Sequence, residues 1–415
     1  MLQVLADLIM VGRISAASIA AVGMSLQVVG LLYAALTVFY VGTNSLIARL
    51  HGAKEHKDLS SAVYSLLLFA LVLSVPSTLL WYLLSGHLLL LMGASETVAQ
   101  VGAGYLGWLT LVLPAIFVKY VLVSALNGIG DTKTPFKIKL VAIMLNVFLN
   151  YILIFGNFGA PAMGVEGAAL ATVIAGILEA LAYLYLLFKT AHFTERHFHY
   201  SRDLVRRAMK VGVPAGFERM LTFFSFILFT VIIAHFGTAI MAGYQIGLRV
   251  EGLAFMPGIG FTVAAMTLMG QSLGRNDPQT AHEDVVKTMK IAAWFMGSMG
   301  LFMIAVPEYV VFIFTDDTRV IEEASLYLRI VGLSQVPLAV SFVLSGSLRG
   351  AGATRQTLKI NLISLWFFRI IPALLAAYFL HSILLVYIVM ITETFIKAFW
   401  LWKAFKSGGW KDIRV

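Results

Sequence analysis

The chain contains one stretch of sequence twice. Residues 126–140 read LNGIGDTKTPFKIKL and residues 348–362 read LRGAGATRQTLKINL, so seven of the fifteen positions are identical at an offset of 222 residues. The same offset pairs residues elsewhere in the chain: Val28 with Val250, Gly30 with Gly252, Phe39 with Phe261 and Gly52 with Gly274. A period of this length indicates a duplicated domain rather than a solenoid of small repeats. We therefore expect two halves with the same fold.

The composition places both halves in a membrane. Hydrophobic residues make up 60% of the chain and charged residues 12%, whereas soluble domains carry about 25% charged residues. Apolar runs recur along the whole length and are long enough to cross a hydrocarbon core of about 30 Å as helices. Alternating segments typical of a membrane β-barrel are absent from the sequence. The chain has no cysteine, which excludes disulfides and cysteine metal sites.

Hydrophobicity divides the chain into twelve segments, of which the first is incomplete. Their bounds are roughly 1–11, 15–48, 59–84, 98–125, 136–156, 164–189, 207–234, 238–270, 285–313, 323–347, 358–380 and 383–404. We expect an all-α membrane protein of two parallel six-helix repeats, that is, twelve transmembrane helices with the first truncated, around a central cavity. The predicted domains are an N-lobe at 1–190, a cytoplasmic linker at 191–206 and a C-lobe at 207–415.

Loop charge predicts the orientation. The loops after the even-numbered segments and the C-terminal tail hold most of the Lys and Arg, whereas the other loops hold only Arg13 and Arg319. By the positive-inside rule, the even-numbered ends are cytoplasmic. An even number of segments gives both halves the same orientation, so the halves are related by an axis along the membrane normal. Substrate is then expected to bind between them.

Comparison of the two repeats explains why the first segment is short. Met1 pairs with Phe223, so the counterpart of residues 204–222 is not in this sequence. We expect about 20 further residues upstream, the length that a spanning helix needs. The alternative is a natural chain that begins with half a helix.

Several stretches of the chain resemble the multidrug and toxic compound extrusion (MATE) transporters. The most characteristic one is GYQIGLRVEGLAFMPGIGFTVAAMTLMGQSLGRND at 243–277. It is joined, in the family's order and spacing, by ALNGIGDTKTP at 125–135, GAPAMGVEGAALAT at 159–172 and SLRGAGATRQT at 347–357. The resemblance implies a twelve-helix fold of two lobes that exports amphipathic, often cationic compounds in exchange for protons or sodium ions.

The glycine-rich turns have a physical explanation that does not depend on the family. Gly128-x-Gly130 and Gly350-x-Gly352 fit neither a Walker motif nor a dinucleotide fingerprint. We expect them to end helices, because glycine adopts the left-handed conformation that closes a helix. Without a nucleotide site, an ion gradient is the expected source of energy.

Ionisable residues at membrane depth are candidate functional residues, because each costs about 2.5–3.5 kcal/mol on insertion scales. Asp7 stands out, since its repeat counterpart is Phe229 and no internal symmetry demands an acid there. It resembles the helix-one aspartate that MATE transporters use for cation coupling. The resemblance also implies partners for it, a set matched here by Tyr105, Asn146, Asn150 and Thr172.

The chain departs from many family members at Asn150, where they carry a second carboxylate. A single acid with amide and hydroxyl oxygens could hold a proton or one sodium ion, so the coupling ion stays open. The alternative is that Asp7 has a purely structural role, as a buried residue that forms hydrogen bonds.

Four other acids have competing interpretations. Glu218 is a possible C-lobe coupling acid, or an interfacial residue that faces Arg206 or Lys210. Glu179 and Glu393 occupy corresponding places in the two halves, ten residues before Lys189 and Lys403, which favours a structural or inter-lobe role. Glu251 lies too close in sequence to Arg249 for the two to face each other across a helix, so each is expected to bond a neighbour.

The sequence as a whole predicts a secondary active antiporter, not an enzyme, in the inner (cytoplasmic) membrane. Its expected partners are a small-molecule substrate and the lipid bilayer, with no nucleic acid, no metal site and no cofactor beyond H+ or Na+, and we expect a functional monomer. A lipid-linked glycan flippase of the same superfamily is the alternative, because Lys119, Arg329 and Arg369 could provide a cationic cavity. A channel or membrane enzyme would need a filter or catalytic cluster that the sequence does not show.

Overall fold

The computed structural model describes residues 7, 9–12, 14–189 and 199–413. Within these ranges the chain is almost entirely helical and contains no β-strand, so the predicted all-α fold is confirmed. The helices are α1 (Ala16–Gly52), α2 (His56–Leu91), α3 (Glu96–Leu111), α4 (Leu113–Gly128), α5 (Lys133–Phe155), α6 (Gly164–Lys189), α7 (Arg202–Ala234), α8 (Thr238–Gly274), α9 (Pro278–Ala305), α10 (Pro307–Phe312), α11 (Thr318–Gly332), α12 (Gln335–Gly350), α13 (Thr354–Ile363), α14 (Ile371–Tyr378) and α15 (Ile383–Lys406).

Nine spans in the described part of the chain are long and apolar enough to cross a membrane, and two bent helix pairs raise the number to eleven. These eleven spans correspond to the predicted segments two to twelve. Most of the first predicted segment, and residues 190–198 of the predicted linker region, lie outside the described residues. The helix that follows the linker begins at Arg202, five residues before the predicted start of the C-lobe.

The two bent pairs occupy the same place in the two repeats. α3 and α4 meet at 53°, and α11 and α12 meet at 55°. The breaks lie at Val112 and around Ser334, which are repeat counterparts. Pro114 and Pro337 stand in the first turn after each break, and proline has no N–H to donate back to the preceding turn. The shared bend supports the duplication that the sequence predicts.

The glycine turns end helices as expected. α4 ends at Gly128 and α12 at Gly350, and two residues later Gly130 and Gly352 have φ of 92° and 90°. This left-handed backbone is open to glycine at no steric cost.

Tertiary contacts divide the chain into two units. One comprises the residues up to Thr43 together with Glu55–Met209, and the other comprises Asn44–Lys54 together with Lys210–Val415. The end of α1 therefore belongs to the second unit, where it packs against the end of α8. A Cβ added at Gly274 would lie 2.1 Å from the Arg49 carbonyl oxygen, so this crossing brings the two backbones into direct contact.

A widened helical turn separates α13 from α14. Residues Ser364–Ile370 form a π-helical segment that ends two residues before Pro372. The proline ring would clash with the carbonyl group four residues earlier in a regular α-helix, and the π turn relieves that clash. The segment carries Ser364 and Arg369, which both bind an acid described below.

Candidate functional site

A chain of buried polar side chains runs through the first unit. Asn146 and Asn150 lie four residues apart on one face of α5, and both are fully buried. Asn146 Nδ2 donates to Thr172 Oγ1 of α6 at 3.2 Å. Asn150 Nδ2 donates to Asp7 Oδ1 at 2.5 Å and to Asn146 Oδ1 at 3.4 Å. The structure thus joins four of the five residues predicted for the coupling site.

Tyr105, the fifth residue, lies in the apolar wall of the same region. Its side chain is 1% exposed and belongs to a buried cluster with Val11 and Val165. Asp7 acts electrostatically on the Tyr105 hydroxyl, but the described residues include no hydrogen bond between the two. Tyr105 therefore lies in the apolar surroundings of Asp7 without a hydrogen bond to the carboxylate in this conformation.

The surroundings of Asp7 suit a group that changes its charge. The side chain is 3% exposed, and a charged carboxylate is costly to bury without full compensation. Within the described part of the chain, its one side-chain donor is Asn150, and Lys139 is the charged residue that acts on it. Asn150 Oδ1 is buried and has no partner in the described part of the chain. The cluster therefore offers a carboxylate and a free amide oxygen to a proton or a small cation.

Glu179 and Glu393 each bind two basic side chains of their own unit. Glu179 Oε2 lies 3.3 Å from both Lys119 Nζ and Lys139 Nζ. The partners of Glu393 are Arg369 Nη2 at 2.6 Å, Lys397 Nζ at 3.3 Å and the Ser364 hydroxyl. These contacts favour a structural role for both acids over an inter-lobe role.

The basic partners proposed for Glu218 were wrong. The carboxylate, 2% exposed, accepts hydrogen bonds from Arg349 Nη2 at 2.5 Å, from Thr357 Oγ1 at 2.9 Å and from Asn361 Nδ2. All three donors lie in the second copy of the duplicated stretch, whereas Arg206 and Lys210 are on the helix of Glu218 itself, three and two turns earlier. Residues on one helix face must be three or four apart to meet directly, so a partner from another helix binds the acid instead.

The comparisons with known proteins agree with this architecture. A family model described as MatE matches residues 2–152 and 214–375, well over half of the chain. The chain belongs to the MatE family. It is therefore a multi-pass membrane transporter and not an enzyme, as the resemblance of its motifs indicated.

Individual MatE relatives cover nearly the whole chain. The probable multidrug resistance protein NorM of Thermotoga maritima is 29% identical over 423 residues, which span 100% of this chain and 90% of that protein. A MOP-superfamily transporter from Pyrococcus furiosus superposes with a TM-score of 0.90 at 23% identity, covering 99% of this chain and 93% of that one. The Vibrio cholerae transporter VcmN in its bent form gives a TM-score of 0.89 at 22% identity, covering 98% and 92%. The two solved structures support the fold.

No group of three or more His, Asp or Glu side chains suited to a metal ion occurs in the part of this MatE chain that the structure describes. Among the described residues, the polar chain around Asp7 contains one carboxylate, and the other buried acids bind basic residues or hydroxyl groups.

One polar contact of the second unit was missed by the sequence argument. Tyr327 Oη of α11 donates to Glu251 Oε2 of α8 at 2.6 Å, and both residues are buried. The signal was present, because Tyr327 follows Tyr105 by 222 residues and is its repeat counterpart.

Gly247 allows this contact, and its replacement tests the packing. A Cβ at Gly247 would lie 2.2 Å from Tyr327 Cδ1, so we expect Gly247→Ala to displace the ring and to destabilise the protein by about 1–3 kcal/mol, as overpacked cores do. Thermal unfolding of the purified protein measures the loss. Gly260→Ala on the same helix is the matched control, because nothing lies within 4 Å of its added Cβ. Equal unfolding temperatures for the two variants would contradict the packing described.

Proposed function

We propose that this MatE transporter is a secondary active antiporter that exports amphipathic, often cationic compounds in exchange for protons or sodium ions. The observation that carries the proposal is the buried chain Asp7–Asn150–Asn146–Thr172. It contains an acid within a membrane-spanning segment. An ionisable residue there is energetically costly and is by default a candidate functional residue. Names of relatives such as the probable multidrug resistance protein NorM support the substrate class.

The Asp7 cluster can couple ion binding to a conformational change. When a proton or cation neutralises the carboxylate, the hydrogen bond from Asn150 to Asp7 weakens and the amide groups rearrange. A ligand shifts a conformational equilibrium only through such a difference in interaction between the two states. We favour the proton, because one carboxylate suffices to hold it, whereas a sodium ion needs several oxygen ligands at once.

The alternative substrate, a lipid-linked glycan, receives little support from the basic residues that suggested it. Lys119 pairs with Glu179, Arg329 with Glu308 and Arg369 with Glu393. Each of the three cations is thus neutralised by an acid of its own unit. An anionic headgroup would have to compete with these carboxylates.

The proposal places the chain in the cytoplasmic membrane, acting as a monomer with a small molecule as its substrate. Transport of ethidium into vesicles that contain the purified protein tests it. We expect accumulation under an imposed pH gradient, and loss of that accumulation when an ionophore collapses the gradient. An imposed sodium gradient, applied at constant pH, then identifies the ion. Ethidium movement that responds to neither gradient would contradict antiport.

A further inference from the structure

Tyr105 and Tyr327 are repeat counterparts that both lie beside an acid. Each is 1% exposed and stands in the helix before the repeated bend. The acid near Tyr105 is Asp7, whose counterpart in the second unit is Phe229. The acid bound by Tyr327 is Glu251, whose counterpart in the first unit is Val29. Both halves thus have the tyrosine, but the acid lies on the first helix of one half and on the second helix of the other.

Glu251 lies deep in the membrane-spanning part of the second unit. It is 5% exposed and stands 13 residues after the start of α8, which is about 20 Å along the helix at 1.5 Å per residue. Among the described residues, its one hydrogen-bond donor is the neutral phenol of Tyr327. In contrast, Glu218 and Glu393 are directly paired with arginine. Among the buried acids described in this unit, Glu251 is therefore the one without a directly paired cation.

An unpaired hydroxyl group lies in the same cluster. The Tyr387 ring, 0% exposed, packs against Tyr327 with ring centroids 5.2 Å apart, and Tyr327 packs against Tyr244 at 5.3 Å. The Tyr387 hydroxyl is buried and has no hydrogen-bond partner among the described residues. Buried polar groups are nearly always paired, so this hydroxyl is open to a hydrogen-bond partner that the described residues do not supply in this conformation.

The charges around Glu251 favour a proton over a metal cation. Arg369, from the π-helical segment, acts on Glu251 and is bound to Glu393, which also binds Lys397. Glu323 of α11 acts on the Tyr387 hydroxyl of α15. A fixed cation beside the Arg369 guanidinium would be repelled, whereas a proton removes the charge of the carboxylate.

Two other helices packed on α8, α9 and α12, carry their ionisable residues away from this cluster. Those of α9 fall between His282 and Lys290, and that of α12 is Arg349. Gly350 faces Met266, which places Arg349 near the C-terminal half of α8. These groups are therefore more distant from Glu251 than Arg369 is.

We propose that Glu251 is a second proton-binding site of this transporter, which gains and loses one proton in each cycle in addition to the proton at Asp7. On protonation the carboxylate becomes a neutral carboxyl group, whose O–H requires an acceptor within the surrounding cluster. On release the proton returns to water and the hydrogen bond from Tyr327 stabilises the carboxylate. The proposal rests on the proposed function, because it adds a site to the same exchange.

Proton release on ethidium binding tests the second site. The full-length protein in weakly buffered detergent solution is mixed with ethidium, and a pH-sensitive dye reports the protons released. We expect Glu251→Gln and Asp7→Asn each to release roughly half as many protons per bound ethidium as the unaltered protein, and the double variant to release none, since each acid contributes one proton by linkage. Release from Glu251→Gln equal to that of the unaltered protein would overturn the proposal, as would release at this site only when sodium is present.

A second measurement needs no substitution of Glu251. With glutamate labelled by ¹³C, infrared spectroscopy of the unaltered protein should show a label-sensitive carbonyl stretch of a protonated carboxyl group that disappears when ethidium binds. Tyr327→Phe should shift this band, because the hydroxyl contacts that carboxyl group. A spectrum without such a band, or a band indifferent to ethidium, would overturn the second site. If the unaltered protein releases no protons at all, the proposed proton antiport itself fails; if only Asp7→Asn changes the release, the failure is confined to Glu251.

Discussion

Replacing Asp7 by Asn is expected to abolish gradient-driven export while the protein stays folded. Asn keeps the shape of Asp and an oxygen that accepts the hydrogen bond from Asn150, but it cannot exchange a proton or carry a negative charge. Ethidium accumulation in vesicles under an imposed pH or sodium gradient should fall to the level of protein-free vesicles. Ethidium binding to the detergent-solubilised variant should persist, because the substitution removes the proposed coupling group and not the fold.

Asp58→Asn is the matched control for this variant. Asp58 is an exposed aspartate in the first turn of α2, so its replacement should leave both accumulation and binding unchanged. Export by Asp7→Asn at the rate of the unaltered protein, combined with failure of Glu218→Gln, would instead place the coupling site in the second unit at Glu218.

Replacing Glu393 by Gln is expected to produce the largest loss of stability. The acid is fully buried and compensates both Arg369 and Lys397, whose side chains are only 11% and 13% exposed. Removing one partner of a buried ion pair costs about 3–5 kcal/mol, because an uncompensated charge is left behind. Thermal unfolding followed by tryptophan fluorescence measures the change, since the chain has seven Trp and no Cys for a thiol-reactive dye.

Glu179→Gln provides the comparison from the other half of the chain. One of its partners, Lys139, is 42% exposed and can be hydrated when the acid is lost, so the unfolding temperature should fall less than in Glu393→Gln. A larger fall for Glu179→Gln would contradict the structural role assigned to Glu393.

The features that could be predicted from the sequence are those that depend on spacing along one helix. The duplication follows from matching the sequence to itself at an offset of 222 residues, and the helix-ending glycines and the shared face of Asn146 and Asn150 follow from helical geometry. The family resemblance added Asp7 and Thr172 as their neighbours, and the structure places all four side chains in one hydrogen-bonded chain.

Contacts between distant helices could not be predicted in the same way. Glu218 is bound by residues 131 to 143 positions away, and Glu251 by Tyr327, 76 positions away. Such pairs depend on how each helix is rotated about its axis, which a broad apolar surface in a membrane leaves undetermined. The repeat could have supplied part of the answer, because the bends before Pro114 and Pro337 align Tyr105 with Tyr327.

The central claim is that Asp7 couples an ion to export. The most direct test is to measure the ion movement that a substrate gradient drives. Vesicles that contain the protein are given an ethidium gradient and no ion gradient, and a trapped pH indicator follows the interior. We predict that ethidium moving down its gradient drives protons in the opposite direction, and that Asp7→Asn abolishes this proton movement, because a complete transport cycle requires proton exchange at Asp7 even where Glu251 still binds its own proton. Ethidium movement through the unaltered protein with no change of internal pH or sodium, or proton movement of equal size in Asp7→Asn, would contradict the account.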